Sequence, residues 1–310
     1  LRLAVLLLLG AHIWTNVAIA VAFTCAGLAL ALMAIFANIT VDRLAARLDP
    51  EIFTRNLAIA PTHPPRLAKL LANGLALVVA ELILIAGAAF VTASVPVAWI
   101  TALLAVVALA VGTLATDRIL RTQGNAFRNK VLGEVQRAIQ KLHPEVALYH
   151  GMSQGDAVYQ VDGWLSTMEQ VPRPTIVIVR SVATLESMGA TTLPVLAITR
   201  AQDLLHLDLT TLRACLFVAN TGDVIHLIRE QNPMSAFIGH GDSDKNSSFN
   251  PFTKVYDEVW VAGEAGEQRY SRAKIGMRAE QFVYVGRPQL DAIDMSVLPS
   301  GESDRTPTVL

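Results

Sequence analysis

The 310-residue chain is 53% hydrophobic and only 16% charged, a balance too apolar for an ordinary water-soluble protein of this length. Its formal net charge of −1 argues against a globally basic nucleic-acid binder, so no nucleic-acid partner is expected. Two cysteines, Cys25 in an apolar tract and Cys215 in an expected buried strand, read as packed free thiols.

Charge is unevenly spread. Residues 3–37 carry no charged side chain, and residues 75–116 carry only Glu81. Each tract is about twice the roughly 20 apolar residues that span a bilayer. A single 35-residue helix would run about 52 Å, too long for one crossing. Gly10, His12, Trp14 and Asn16 therefore mark a break between the tail of one span and a full span at 17–37. Residues 40–70 mix five basic and three acidic side chains with Pro61, Pro64 and Pro65, and read as an interfacial helix followed by a stiff loop. Two further spans are expected at 75–91 and 97–116, joined by a turn at 94–96. The segment 117–142, with six basic and two acidic residues, reads as a basic helix on anionic lipid heads, or as one that steers a polyanionic acceptor. Positive flanks on both sides of the hairpin place them in the cytoplasm, which predicts a multi-pass plasma-membrane protein with a cytoplasmic C-terminal region. Glu81 is a functional candidate as an acid inside a span, or an acid that reaches the headgroups or sits protonated in a helix contact. The chain opens without Met inside an apolar run and ends in a strand-like Thr308-Val309-Leu310, so both ends are expected to continue in a longer protein.

From Pro144 onward the pattern changes. Strand-like runs at 146–149, 175–179, 195–199, 214–219, 236–238, 258–261 and 282–285 alternate with helical stretches such as 158–168 and 264–275. That alternation predicts a parallel sheet covered on both faces. Ligands of such sheets bind beyond the carboxyl ends of the strands. The residues there are His150-Gly151, Arg180-Ser181, Arg200, Asn220-Thr221-Gly222 and, most densely, Gly239-His240-Gly241-Asp242-Ser243-Asp244-Lys245. A histidine between two glycines lets backbone amides approach a phosphate, while imidazole accepts protons near neutral pH. Asp242 and Asp244 fit either a metal-binding acid pair or an ordinary helix N-terminus; the second reading is adopted and no metal is expected. His226 sits in a helical pattern and reads as packing, and His143 and His150 are assigned no chemistry.

The runs HLIRE at 226–230, FIGHGDSDKNSSFNPF at 237–252, YDEVWVAG at 256–263 and VGRPQLD at 285–291 together resemble the CDP-glycerol glycerophosphotransferases of teichoic-acid-type polymer synthesis, in their membrane-associated, actinobacterial form. The resemblance is clear over about 66 residues. It implies a Rossmann-like domain at 143–295, the acceptor-side half of a glycosyltransferase B arrangement, preceded by a membrane α-helical region at 1–116 and the basic helix at 117–142. Residues 296–310 would then link to a donor-binding domain. It implies transfer of glycerol phosphate from CDP-glycerol to a hydroxyl of a lipid-linked cell-envelope polymer, with release of CMP and no cofactor. His240 would be the base. Gly239, Gly241, Asp242, Lys245, Asn220 and Arg287 would bind substrate, and Gly286, Pro288 and Asp291 match the segment that closes the domain. The family's nucleotide-binding residues lie in its second domain, so residues 1–310 alone are expected to have little activity. A nucleotide-sugar glycosyltransferase and a non-enzymatic envelope scaffold are the competing readings.

Overall fold

The computed structural model describes residues 39, 51–59, 95–152, 157–241 and 250–292. The chain divides into two compact units, Leu1–Pro50 with Pro61–Val131 and Glu51–Ala60 with Leu132–Leu310. The expected spans at 17–37 and 75–91, Glu81, Cys25 and the linker at 296–310 lie outside the described residues.

Helix α1 (Val95–Leu142) is one continuous 48-residue helix. It joins the apolar stretch 97–116 to the basic stretch 117–142, with Pro96 in its first turn, where a missing backbone N–H leaves no bond unmade. Among the described residues, no helix is long and apolar enough to cross a membrane. That finding overturns the expected membrane α-helical region at 1–116 and, with it, the multi-pass plasma-membrane placement with a cytoplasmic C-terminal region. The error has a physical source: an apolar run measures hydrophobicity and carries no information about what covers it.

A second correction concerns the interfacial segment. Residues Ile52–Arg55 form a strand, β1, at the edge of the sheet in the second unit. β1 runs antiparallel to β4, with Ile52 opposite Ile198 and Arg55 opposite Val195. Its side chains, not its propensity, hold it there. Arg55 donates to the carbonyls of Met188 at 3.1 Å and Gly189 at 3.0 Å, and to that of Leu185. Asn56 donates to Thr191 O at 2.6 Å and Leu193 O at 3.1 Å.

The remaining strands are β2 (Val146–His150), β3 (Thr175–Val179), β4 (Val195–Ile198), β5 (Ala214–Phe217), β6 (Met234–Phe237), β7 (Glu258–Val261) and β8 (Phe282–Tyr284). All seven are parallel, and the sheet order is β1-β4-β3-β2-β5-β6-β7-β8. The strand order reverses between β2 and β5, which makes this a doubly wound, Rossmann-like sheet with its switch point at the ends of those two strands. The sequence of β3, Thr-Ile-Val-Ile-Val, is buried at every position, as a parallel strand covered on both faces requires.

The helices that matter for the site are α2 (Tyr159–Glu169), α3 (Val182–Ser187), α4 (Ala201–Leu204), α5 (Ile225–Ile228) and α6 (Glu264–Ala273). α2 lays Val161, Trp164, Leu165 and Met168 onto the sheet face that carries Leu148, Val177, Leu216 and Ala236. Fully burying each such side chain contributes about 1.5–3 kcal/mol. Tyr149, Phe217, Tyr256 and Phe237 form an aromatic row through successive contacts with ring centroids 5.1–5.6 Å apart. Cys215 lies buried in β5, and burial pushes its thiol up to about 12, which leaves it unreactive as a nucleophile.

Candidate functional site

The carboxyl ends of β5, β6 and β7, the loop after β2, and helices α2 and α6 enclose a cleft of about 450 Å³. His240 lies on its wall, two residues beyond Ile238, at the exit of β6. The chain leaves that strand through Gly239 at φ 59° and Gly241 at φ 155°. A Cβ at either position would favour a different backbone, so the two glycines are what allow the loop to turn His240 toward the cleft. Trp164 of α2 anchors the turn by donating its indole N–H to Gly239 O at 2.6 Å.

The imidazole is exposed on one side and meets the edge of Tyr159, with ring centroids 5.4 Å apart. Its Nδ1 lies 3.4 Å from the carbonyl of Val218. A carbonyl only accepts, so the tautomer that satisfies this long contact carries its proton on Nδ1 and leaves Nε2 free to take one. Arg269 of α6 and Arg287 bring positive charge to the same cleft, and Trp260 and Tyr270 add apolar, aromatic wall. Asn220 also lines it, with its amide nitrogen donating to Thr253 Oγ1 at 2.8 Å and its oxygen 3.5 Å from the Tyr256 hydroxyl. That geometry makes Asn220 a fixed part of the floor.

Of the residues expected from sequence, the fold brings His240, Gly239, Gly241, Asn220 and Arg287 to one cleft. Asp242 and Lys245 lie outside the described residues. Among the described residues, no group of three or more His, Cys, Asp and Glu side chains is placed to hold a metal ion. His226 lies in α5, with Nδ1 at 2.9 Å from Asp223 O and 3.3 Å from Arg180 Nη1, so it belongs to a buried network at the ends of β3 and β4 and not to the cleft.

Sequence reasoning passed over two residues that line the cleft, Trp164 and Gln160, and it assigned no chemistry to His150, which is buried nearby and is not part of the lining. Trp164 and Gln160 are contributed by a helix some 75 residues before His240, and no local pattern links the two. His150, the last residue of β2, is fully buried. Burial, helped by the neighbouring His240 ring, holds its imidazole below its ordinary value of 6.5, against weaker raising effects from Gln160 and the Ala157 backbone. A group whose folded pKa is depressed leaves the folded state disfavoured once the unfolded chain begins to take up the proton. Stability is therefore expected to be full above about pH 6.5 and to fall as pH drops from there toward the lowered folded value. Thermal midpoints from pH 8 to pH 5 test this: the wild type should lose more than a His150→Phe variant, and parallel curves would contradict the assignment.

No family model matches this chain, and neither a curated protein nor a solved structure does.

Proposed function

We propose that the protein transfers glycerol phosphate from CDP-glycerol to a hydroxyl of a lipid-linked cell-envelope polymer, releasing CMP. The observation that carries this reading is the placement of His240 on the wall of the cleft, between two positive-φ glycines and with two arginines lining the same cleft. In the reaction, Nε2 takes the proton of the acceptor hydroxyl as its oxygen attacks the β-phosphorus of CDP-glycerol. The new P–O bond forms as the bond to the bridging oxygen breaks, and CMP departs with that electron pair. Phosphoryl transfer of this kind depends mainly on positioning and on charge stabilisation, which is the part that guanidinium groups such as Arg269 and Arg287 perform. The motif runs at 226–230, 237–252, 256–263 and 285–291 support the choice of donor.

A second reading is favoured by one feature, the aromatic wall of Trp164, Trp260 and Tyr270, which also suits the face of a sugar. Under it the enzyme would form a glycosidic bond from a nucleotide sugar. The experiment that separates them supplies the full-length protein and a lipid-linked acceptor with radiolabelled CDP-glycerol or with a panel of nucleotide sugars. Label is expected to move only from CDP-glycerol; label moving from a sugar donor, and not from CDP-glycerol, would replace the proposal with the second reading.

A further inference from the structure

The residues on either side of His240 are glycines, so its neighbours in sequence offer no side chain to pack against the imidazole. The residue is exposed, and the polar contact of its ring, from Nδ1 to Val218 O, is long at 3.4 Å. A side chain so placed keeps much of its rotamer freedom unless another part of the fold restricts it. Helix α2 reaches the turn at two places. Trp164 donates its indole N–H to Gly239 O at 2.6 Å, which ties down the backbone before His240. Tyr159, the first residue of α2, sets its ring against the imidazole, with centroids 5.4 Å apart and planes at 87°. An edge-to-face arrangement at that spacing is a favoured geometry of an aromatic pair. Tyr159 lines the same cleft as His240 and is 60% exposed, so it adds little to the apolar core, and its contact with His240 is what distinguishes it.

We infer that Tyr159 is a positioning residue for His240: its ring holds the imidazole at the Val218 carbonyl and thereby fixes which ring nitrogen carries the proton. The proton of a neutral imidazole goes to the nitrogen that has an acceptor. A carbonyl accepts and never donates, so contact with Val218 O selects the form with its proton on Nδ1 and a basic Nε2. A contact of 3.4 Å is too weak to hold a freely turning ring, and the Tyr159 ring supplies the remainder. Without it the imidazole divides between rotamers and between two neutral tautomers, of which one presents a base at Nε2. The expected size of the effect is the worth of one aromatic pair, about 2- to 12-fold. This rests on the reading of His240 as the base, and it adds how the fold keeps that base in its working form.

Two measurements on the full-length protein test this. The first needs no donor: nitrogen-15 NMR of the histidine-labelled protein above the imidazole titration range, with the His240 signals identified by their loss in His240→Ala. The wild type is expected to show the Nδ1–H form in excess, and Tyr159→Phe, which keeps the ring and drops the hydroxyl, should match it. Tyr159→Ala should show the two forms mixed, at an unchanged thermal midpoint. The second is transfer from CDP-glycerol, where Tyr159→Ala should lower kcat by about 2- to 12-fold with KM within about twofold, and Tyr159→Phe should recover most of that loss. A His240 tautomer unchanged in Tyr159→Ala would overturn the proposal. A loss that falls on KM, or that Tyr159→Phe shares in full, would overturn it in favour of a substrate contact by the phenol. A lowered midpoint in Tyr159→Ala would overturn it in favour of a packing role. A tautomer change in Tyr159→Ala, found alongside failure to use CDP-glycerol, would leave the positioning role standing and remove the donor assignment.

Discussion

His240→Ala is expected to lower the rate of glycerol-phosphate transfer by roughly 10²–10⁴-fold, the usual worth of a positioned general base. The residue is exposed and its ring meets the Tyr159 edge, so its loss should leave the fold intact. Circular dichroism and the thermal midpoint provide that control. His240→Gln is the informative companion: it preserves a polar side chain of similar reach and still lacks a group that accepts and carries away a proton. Equal defects in the two variants support proton transfer as the role of His240. Substantial activity in the glutamine variant would assign His240 to substrate orientation instead. Measured as a split, the loss should fall mainly on kcat, because the proton moves only in the transition state.

The second large effect is expected at Trp164. Its ring is 5% exposed in the core beneath α2, and its N–H meets Gly239 O at 2.6 Å. Trp164→Phe keeps most of the apolar contact and removes the hydrogen bond, leaving a carbonyl of the glycine turn without its donor. The expected cost is about 1–3 kcal/mol in stability. Transfer should fall together with it, because the same turn aims His240. Trp164→Ala adds a cavity and should cost about 3–5 kcal/mol. Denaturant midpoints at unchanged slope give both values. A Trp164→Phe variant with wild-type transfer would show that the glycine turn holds its shape unaided.

These two residues also illustrate how far the sequence could be read. The glycines flanking His240 at the end of a short apolar run were legible because a strand exit, two residues of backbone freedom and an imidazole are all encoded within a few positions. Trp164 was not, because its partner lies 75 residues away and a tryptophan in an amphipathic helix looks the same whether or not its N–H is used. The seven parallel strands were legible from local runs. The expected run at 175–179 coincides with β3 and that at 258–261 with β7, while the others differ by one or two residues at their ends. Their lateral order was not, since it depends on which strands meet across the sheet.

β1 failed for a different reason. Ile-Phe-Thr-Arg is a short run flanked by charge and proline, and its position is set by Arg55 and Asn56 reaching carbonyls about 130 residues further on. The same flanking charge was read as interfacial, and the apolar tracts on either side encouraged it. His150 illustrates a third limit: a histidine at the end of a strand reads the same in sequence whether the fold buries it completely or leaves it open to solvent.

The most direct test of the central claim is phosphorus-31 NMR of the full-length protein with CDP-glycerol and a lipid-linked acceptor. The account predicts that CMP and a new phosphodiester appear one for one, and that both are absent with His240→Ala. CMP release without a phosphodiester, or formation of the phosphodiester at the wild-type rate by His240→Ala, would contradict it.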